Sequence, residues 1–227
     1  MSENTVLQLA ARLDATLPQT QCTRCGFPDC AAYASALARG EAGINQCPPG
    51  GAEGVRRLAA ITNQPELALD PLHGSEGPRN VAVIDEDWCI GCTLCLKACP
   101  TDAITGGNKR MHTVIEPWCT GCELCIPVCP VDCIQLENVS GSRTGWQAWS
   151  HEQAGQARLR YDWHRERLQR DEAEHRERQE AKAEDKLADL AAHSKHTDPE
   201  MLDRKRALIE AALARARAQK AAPPQAQ

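Results

Sequence analysis

Residues 88–104 read WCIGCTLCLKACPTDAI, and residues 118–134 repeat the pattern as WCTGCELCIPVCPVDCI. The two stretches begin 30 residues apart and are identical at ten of their seventeen positions. Each follows a short β-branched stretch, NVAVID or MHTVIE, and the second copy continues into CIQLENV. Stretches of this kind predict β-strands. The chain therefore contains two similar halves, each with a cysteine-rich loop next to a short strand.

The cysteines of each copy follow the spacing C-x2-C-x2-C-x3-C-P, which occurs in bacterial ferredoxins with two 4Fe–4S clusters. In that pattern the first three thiolates bind one cluster, and the fourth binds the neighbouring cluster. One predicted ligand set is Cys89, Cys92, Cys95 and Cys129. The other is Cys99, Cys119, Cys122 and Cys125. Because the fourth cysteine of each run is assigned to the cluster of the other run, the spacing predicts one pseudo-symmetric domain over residues 80–139.

Zinc is the alternative metal for a cysteine-rich site. Structural zinc sites usually take two separated C-x2-C pairs as four tetrahedral ligands. Here three thiols lie within seven residues, twice, which favours clusters over zinc. The thirteenth cysteine, Cys133, corresponds to Ala103 in the first copy. It is therefore interpreted as a small buried packing residue rather than a ligand.

Other residues of the repeat have predicted structural roles. Trp88 and Trp118 each precede a cysteine loop, where they are expected to shield a cluster or to supply core area. Gly91 and Gly121 are expected where the loop backbone bends sharply. The seven histidines have no metal-ligand spacing, and all of them are predicted to lie at the surface.

The regions before this domain differ from it. In residues 1–62 apolar side chains recur at helical intervals up to Pro18, and CAAYASALARG and GVRRLAAIT predict two further short helices. Residues 63–79 contain three prolines and two glycines, which predicts a linker or a wrapping loop.

Residues 140–227 are interpreted as a charged helical tail. Residues 150–193 are mostly Arg, Glu, Ala, Gln and Lys, which predicts a long solvated helix held by ion pairs between residues four apart. With few apolar positions, this helix is expected to project into solvent. TDPE at 197–200 fits a capping box, and the final helix that follows has a narrow apolar stripe through Leu202, Ile209 and Leu213. This stripe suits docking to a partner or to an anionic membrane surface, and the alternative is a frayed solvated helix.

Composition and charge exclude several classes of protein. Residues 1–150 carry 10 basic and 16 acidic side chains, so the cysteine-rich part lacks the basic stripe that nucleic-acid binding needs. No run of 18 apolar residues occurs, and the opening has no signal-peptide pattern. A cytoplasmic protein is therefore expected, and its reduced thiols favour metal binding over disulfides.

Four further cysteines, Cys22, Cys25, Cys30 and Cys47, precede the repeat with a different spacing. Their chemistry alone permits either zinc or an iron–sulfur cluster. The stretch QTQCTRCGFPDCAAYASALARGEAGINQCPPGG resembles the iron–sulfur domain of the B component of the Rnf (also called Rsx) electron transport complex. The order of this domain, a linker with LDPLHG and a two-cluster ferredoxin is similar to that family over roughly residues 3–139. Family members usually begin with an apolar helix, whereas this chain begins with the polar MSENTVLQLAARL.

The resemblance implies that these four cysteines hold a third 4Fe–4S cluster. The expected fold is α+β, with a small helical iron–sulfur domain, a bacterial-type two-cluster ferredoxin domain and the helical tail. The resemblance also implies an electron carrier without a catalytic site of its own, in a complex that couples electron flow between ferredoxin and NAD to ion transport. The implied partners are the other subunits of that complex and soluble ferredoxin or another redox protein. The implied location is the cytoplasmic face of the inner membrane.

Two other functions fit the sequence less well. One is a soluble polyferredoxin that donates electrons to another reductase. The other is a redox-sensing regulatory module that binds nucleic acid through its tail, which the near balance of charge in the tail disfavours.

Overall fold

Cysteine loops and short strands in the middle of the chain are flanked by helices on both sides. The structure is a computed structural model that describes residues 3–221. The helices are α1 (Glu3–Asp14), α2 (Cys30–Arg39), α3 (Gly51–Thr62), α4 (Leu94–Ala98), α5 (His151–Ala188) and α6 (Pro199–Ala221). The strands are β1 (Asn80–Ile84), β2 (Ile104–Thr105), β3 (Thr113–Val114) and β4 (Ile134–Asn138). This arrangement confirms the predicted α+β class. The chain divides into two compact units, residues 1–165 and 166–227.

Helices α1, α2 and α3 share one apolar core. Leu13, Tyr33 and Leu58, one from each helix, are almost completely buried in it. Helix α2 begins at its predicted position because the Asp29 carboxylate accepts a 2.6 Å hydrogen bond from the backbone N–H of Ala32. Such a cap satisfies an N–H group that has no partner within the helix. The helices thus form a small domain around the first cysteine group.

Two antiparallel strand pairs build the ferredoxin-type domain. Strand β1 pairs with β4 from Asn80↔Asn138 to Ile84↔Ile134, and β2 pairs with β3. The two cysteine loops repeat the same left-handed backbone positions, as the internal symmetry of the sequence requires. These matched pairs are Gly91 and Gly121 (φ 67° and 65°), Thr93 and Glu123 (67° and 66°), and Asp102 and Asp132 (49° and 50°).

Residues 63–79 wrap around the helical domain. The side-chain amide of Asn45 donates to the carbonyl of Ala68, and the backbone N–H of Asp70 donates to the carbonyl of Asn45. Further along, the Glu76 carboxylate accepts hydrogen bonds from Ala52 N–H (2.8 Å) and from the Thr144 hydroxyl (2.6 Å). The wrapping-loop alternative therefore describes this segment better than a free linker.

The start of the predicted tail is part of the first unit, which continues to Arg165. Trp146 is buried, with the guanidinium of Arg57 stacked 4.4 Å from its ring centre. In α5, Ala154 and Ala157 are also buried. The predicted domain boundaries after residues 62, 79 and 139 stay predictions.

The expectation that the helix from residue 150 projects freely into solvent is wrong for its first fifteen residues. Alanine side chains let α5 approach the rest of the first unit closely. Ion pairs and hydrogen bonds hold it there in place of large apolar contacts. Arg158 pairs with Asp14 at 3.2 Å, and the Tyr161 hydroxyl donates to the Asp29 carboxylate at 3.0 Å.

The second unit contains the rest of α5 together with α6. Within it, Leu190 and Leu213 are buried, and Arg217 pairs with Glu184. Leu213 of the predicted apolar stripe therefore has partners inside this unit. Among the described residues, no helix combines the length and the apolar character needed to cross a membrane.

Candidate metal centres

The four N-terminal cysteines surround one small cavity. Cys22, Cys25, Cys30 and Cys47 line it together with Leu17, Tyr33 and Pro48. Cys30 is the first residue of α2, and Cys47 directly precedes the turn at Pro48–Gly50. The spacing of this group therefore reflects a loop, a helix start and a turn that converge on the same space.

A chain of buried glutamines supports the loop that carries the first two of these cysteines. The Gln19 side-chain amide donates to the carbonyl of Asp14 at 2.6 Å, and Gln21 donates to Gln19 Oε1 at 2.9 Å. Gln21 Oε1 in turn accepts the backbone N–H of Cys30 at 2.9 Å. Sequence reasoning missed this support, because glutamines in a loop normally predict exposure.

The N-terminal thiols are held in a poorly solvated environment. Burial raises the pKa of Cys30 well above its ordinary value, with a further contribution from the charge of Cys47. Burial also raises the pKa of Cys47, and nearby Cys22 adds to the effect. Without a cation these groups favour the neutral thiol, and a bound metal would displace the protons.

A second cavity joins the two cysteine runs of the ferredoxin domain. It is lined by Cys99 from the first run and by Cys119, Cys122 and Cys125 from the second. The backbone N–H of Ala103 points at Cys99 Sγ (3.2 Å), and that of Ala82 points at Cys119 Sγ (3.4 Å). Burial raises the pKa of Cys122 and of Cys125 to about 12, and Cys99 contributes to both shifts. The fourth cysteine of the first run thus lies among the thiols of the second.

Three cysteines of the remaining set, Cys89, Cys95 and Cys129, belong to the same apolar core as the second set. Burial raises the pKa of Cys95 to about 11, with further contributions from Cys92 and Cys89. Cys129 belongs to the same core, and its Sγ lies 3.5 Å from Sγ of Cys133. Cys133 is buried as predicted, but its closeness to a predicted ligand was not apparent from the repeat.

Two glycines allow the cysteine loops to pass close to other backbone segments. Gly91 and Gly121 both have positive φ angles, as predicted for a sharp bend. A Cβ at Gly121 would lie 2.2 Å from the carbonyl oxygen of Asn80, and one at Gly91 would lie 2.5 Å from the backbone nitrogen of Arg110. Neither position has room for a side chain.

The two cysteine loops of the ferredoxin-type domain differ in solvent exposure. Trp88 is 69% exposed and Ile90 is 58% exposed, whereas their counterparts Trp118 and Thr120 are 37% and 5% exposed. Supplying core area was one of the two predicted roles of Trp88, and its exposure shows that it supplies little.

The second cysteine loop is less exposed because it contacts the helical domain and α5. The Thr120 hydroxyl donates to the carbonyl of Thr20 at 2.9 Å, and Arg24 pairs with Glu123 at 2.6 Å. From α5, the guanidinium of Arg160 lies 3.4 Å from the ring centre of Trp118.

The prediction that all seven histidines are surface residues is wrong for two of them. His164 is buried, and its Nδ1 lies 2.8 Å from the Asp102 carboxylate, which fixes α5 to the turn after Cys99. His112 is buried with its Nδ1 3.3 Å from Cys95 Sγ. Neither has a metal-ligand spacing in the sequence, so only the fold reveals these contacts.

The donor sets fit iron–sulfur clusters. All thirteen cysteines are free thiols, and thiolates are the usual protein ligands of 4Fe–4S clusters. Within residues 3–221, no three or more His, Cys, Asp or Glu side chains converge as ligands of a single metal ion. Two of the thiol sets instead line cavities with apolar walls.

Comparison with known protein families matches both cysteine-rich regions. A family described as "4Fe-4S dicluster domain" matches residues 82–136, and one described as "Putative Fe-S cluster" matches residues 17–49. Together with the fold, these matches define an iron–sulfur protein of the ferredoxin type.

Individual relatives define the family more narrowly. The chain is similar to the B component of the ion-translocating oxidoreductase complex of Azoarcus sp. strain BH72, with 60% identity over 138 residues that make up 61% of this chain and 75% of the relative. The same component of Hahella chejuensis is 54% identical over 138 residues, 61% of this chain and 69% of the relative. That of Thiobacillus denitrificans is 60% identical over 107 residues, 47% of this chain and 57% of the relative. The chain belongs to the family formed by the B components of ion-translocating oxidoreductase complexes.

Proposed function

We propose that this chain is the electron-transfer subunit of an Rnf-type ion-translocating oxidoreductase complex and that it holds three 4Fe–4S clusters. The observation that carries the proposal is the gathering of Cys99 with three thiols of the other run around one cavity. Zinc sites built from C-x2-C pairs do not need this exchange, whereas the two-cluster ferredoxin pattern does. Membership of the B-component family supports the same function.

Each cluster is assigned to four thiolates. The three sets are Cys22, Cys25, Cys30 and Cys47; Cys89, Cys92, Cys95 and Cys129; and Cys99, Cys119, Cys122 and Cys125. A 4Fe–4S cluster, when bound, takes up or releases one electron. The protein contributes the thiolate ligands, apolar burial and N–H groups directed at sulfur, such as those of Ala82 and Ala103. These features tune reduction potential.

The two cysteine loops differ in solvent exposure, and this difference indicates which loop a redox partner can contact. The loop around Trp88 and Ile90 is open to solvent, and the loop around Thr120 is held against the helical domain. We infer that a partner redox protein meets the chain at the first loop. The second loop then forms the internal connection to the N-terminal cysteines.

The family and this geometry support a proposal for the partners. We infer that the chain assembles with other subunits of a membrane complex, as a peripheral subunit on the cytoplasmic face of the inner membrane. Soluble ferredoxin or another one-electron carrier is its exchange partner. Nucleic acid is not an expected partner, because the cysteine-rich part is acidic.

Metal and sulfide analysis of the anaerobically purified chain tests the cluster count. We expect about twelve iron atoms and as many acid-labile sulfides per chain, because each cluster holds four of each. Stoichiometric zinc with little iron would contradict the proposal. Assembly is tested separately by affinity purification of the tagged chain from detergent-solubilised membranes, and absence of every integral-membrane companion would favour a soluble polyferredoxin.

Electron exchange with a purified two-cluster ferredoxin tests the proposed contact loop. Replacing Ile90 by Lys should lower the second-order rate constant, measured by stopped-flow absorbance, while iron content stays unchanged. Leu72→Lys is the matched control, because Leu72 is also an exposed apolar residue but lies in the wrapping segment. Equal rates for both variants would contradict the assignment of the first loop.

A further inference from the structure

His112 is buried next to a predicted cluster ligand. Its side chain is only 1% exposed, and its Nδ1 lies 3.3 Å from Sγ of Cys95. The other ring nitrogen, Nε2, is buried without a hydrogen-bond partner among the described residues. The thiol of Cys95 is therefore the polar contact that the structure gives this ring.

The surrounding backbone fixes the position of the imidazole. His112 directly precedes β3, which pairs with β2. Across the ring lies Gly106, whose φ of 148° favours glycine. A Cβ at Gly106 would come within 2.3 Å of Cδ2 of His112, so the absence of a side chain there makes room for the ring. The contact with Cys95 thus results from two strands and a loop, and not from a freely rotating side chain.

The surroundings of the two ring nitrogens determine which one carries the proton. This step rests on the proposed function, in which Cys95 is a thiolate ligand. A thiolate has only lone pairs to offer, so an unprotonated Nδ1 facing it would bring two acceptors together. The proton would then sit on Nε2, as a buried donor without an acceptor, which costs about 1–3 kcal/mol. A proton on Nδ1 instead gives the thiolate a donor and leaves the Nε2 lone pair as the unpaired group, so the contact with Cys95 decides the tautomer.

We propose that His112 donates a hydrogen bond from Nδ1–H to the Cys95 thiolate and thereby raises the reduction potential of the centre held by Cys89, Cys92, Cys95 and Cys129. A hydrogen bond to a ligand sulfur withdraws negative charge from it, which makes an added electron easier to accommodate. His112 is a positioning and tuning residue and not a ligand. Because this centre belongs to the open loop, the hydrogen bond favours electron uptake where a partner approaches.

Midpoint potentials of three variants test the hydrogen bond. His112→Phe keeps a ring without a donor, and His112→Asn places an amide N–H near the position of Nδ1. His193→Phe is the control, because His193 is exposed in the second unit. In redox titrations followed by EPR, the Phe variant should lower the potential of one cluster and leave the other clusters unchanged. The Asn variant should restore part of the shift. An unchanged potential in a fully loaded Phe variant would overturn the inference.

A measurement on the unsubstituted protein covers the case in which His112→Phe fails to load iron. Protein labelled with 15N only in histidine Nδ1 should show a weak 15N hyperfine coupling to a reduced cluster in pulsed EPR. Three bound clusters without such a coupling would overturn the hydrogen bond alone. A chain whose iron content and EPR spectrum are not altered by Cys89→Ser would overturn the proposed ligand set and, with it, this inference.

Discussion

Thr120 donates a 2.9 Å hydrogen bond to the backbone carbonyl of Thr20, one hundred residues earlier in the chain. Thr20 lies just before the first N-terminal cysteine, and Thr120 lies between Cys119 and Cys122. The bond therefore joins the N-terminal cysteine loop to the second cysteine loop of the repeat. Thr120 and Thr20 are both buried, so neither the hydroxyl nor the carbonyl can easily exchange this hydrogen bond for one to water.

Replacing Thr120 by Val should loosen this junction. The substitution keeps the shape of the side chain but leaves a buried carbonyl without its donor, which costs about 1–3 kcal/mol of unfolding free energy. Anaerobic urea unfolding measures the effect. Thr105→Val is the control, because Thr105 is exposed in a short strand, and its unfolding midpoint should hardly move. Equal midpoints for both variants would show that the junction contributes little stability.

Replacing Cys99 by Ser should damage the cluster assigned to Cys119, Cys122 and Cys125, although Cys99 belongs to the other run. The reciprocal change, Cys129→Ser, should damage the cluster assigned to the first run. The two variants are distinguished by the EPR spectrum of the cluster that remains. Cys133→Ala, adjacent to Cys129, should leave the iron content unchanged. If Cys99→Ser removed the same signal as Cys89→Ser, each run would instead bind its own cluster.

Adding a single methyl group at Gly121 should disturb the second loop. A Cβ there would lie 2.2 Å from the carbonyl oxygen of Asn80, and the positive φ adds strain. We expect Gly121→Ala to reduce iron content and lower thermal stability. Gly155→Ala is the opposite control, because Gly155 lies in α5 with open space around it. Alanine there should raise stability by up to about 1 kcal/mol.

Two truncations separate the roles of the tail. A chain ending at Arg165 retains the packed start of α5 and should keep its iron and its unfolding midpoint. A chain ending at Trp149 loses the contacts of Arg160 and His164 with the ferredoxin domain and should unfold at lower urea concentration. Both chains are compared by circular dichroism and iron analysis. Identical behaviour would mean that the packing of α5 is energetically negligible.

The sequence predicted the parts of the protein that depend on local spacing. The cysteine repeat identified the ferredoxin halves, and Gly91 and Gly121 were correctly expected at sharp bends. It did not predict the packing of α5, because alanine contacts and polar bonds leave no hydrophobic period. Nor did it predict that Gln21 and His112 are buried, since each of these polar side chains finds its partner through the tertiary fold. Local patterns carry little information about such contacts.

The pairing of β1 with β4 has a consequence for how the ferredoxin-type domain is attached. Asn80 and Asn138, its first and last strand residues, lie opposite each other in the sheet. The chain therefore enters and leaves the domain at neighbouring points. A segment with adjacent ends can be inserted into a host chain or duplicated beside itself without spreading the flanking residues apart. The strand pair thus brings both ends of the two-cluster segment to one place on its surface, and contacts such as Thr120 with Thr20 and His164 with Asp102 hold the rest of the segment to its neighbours.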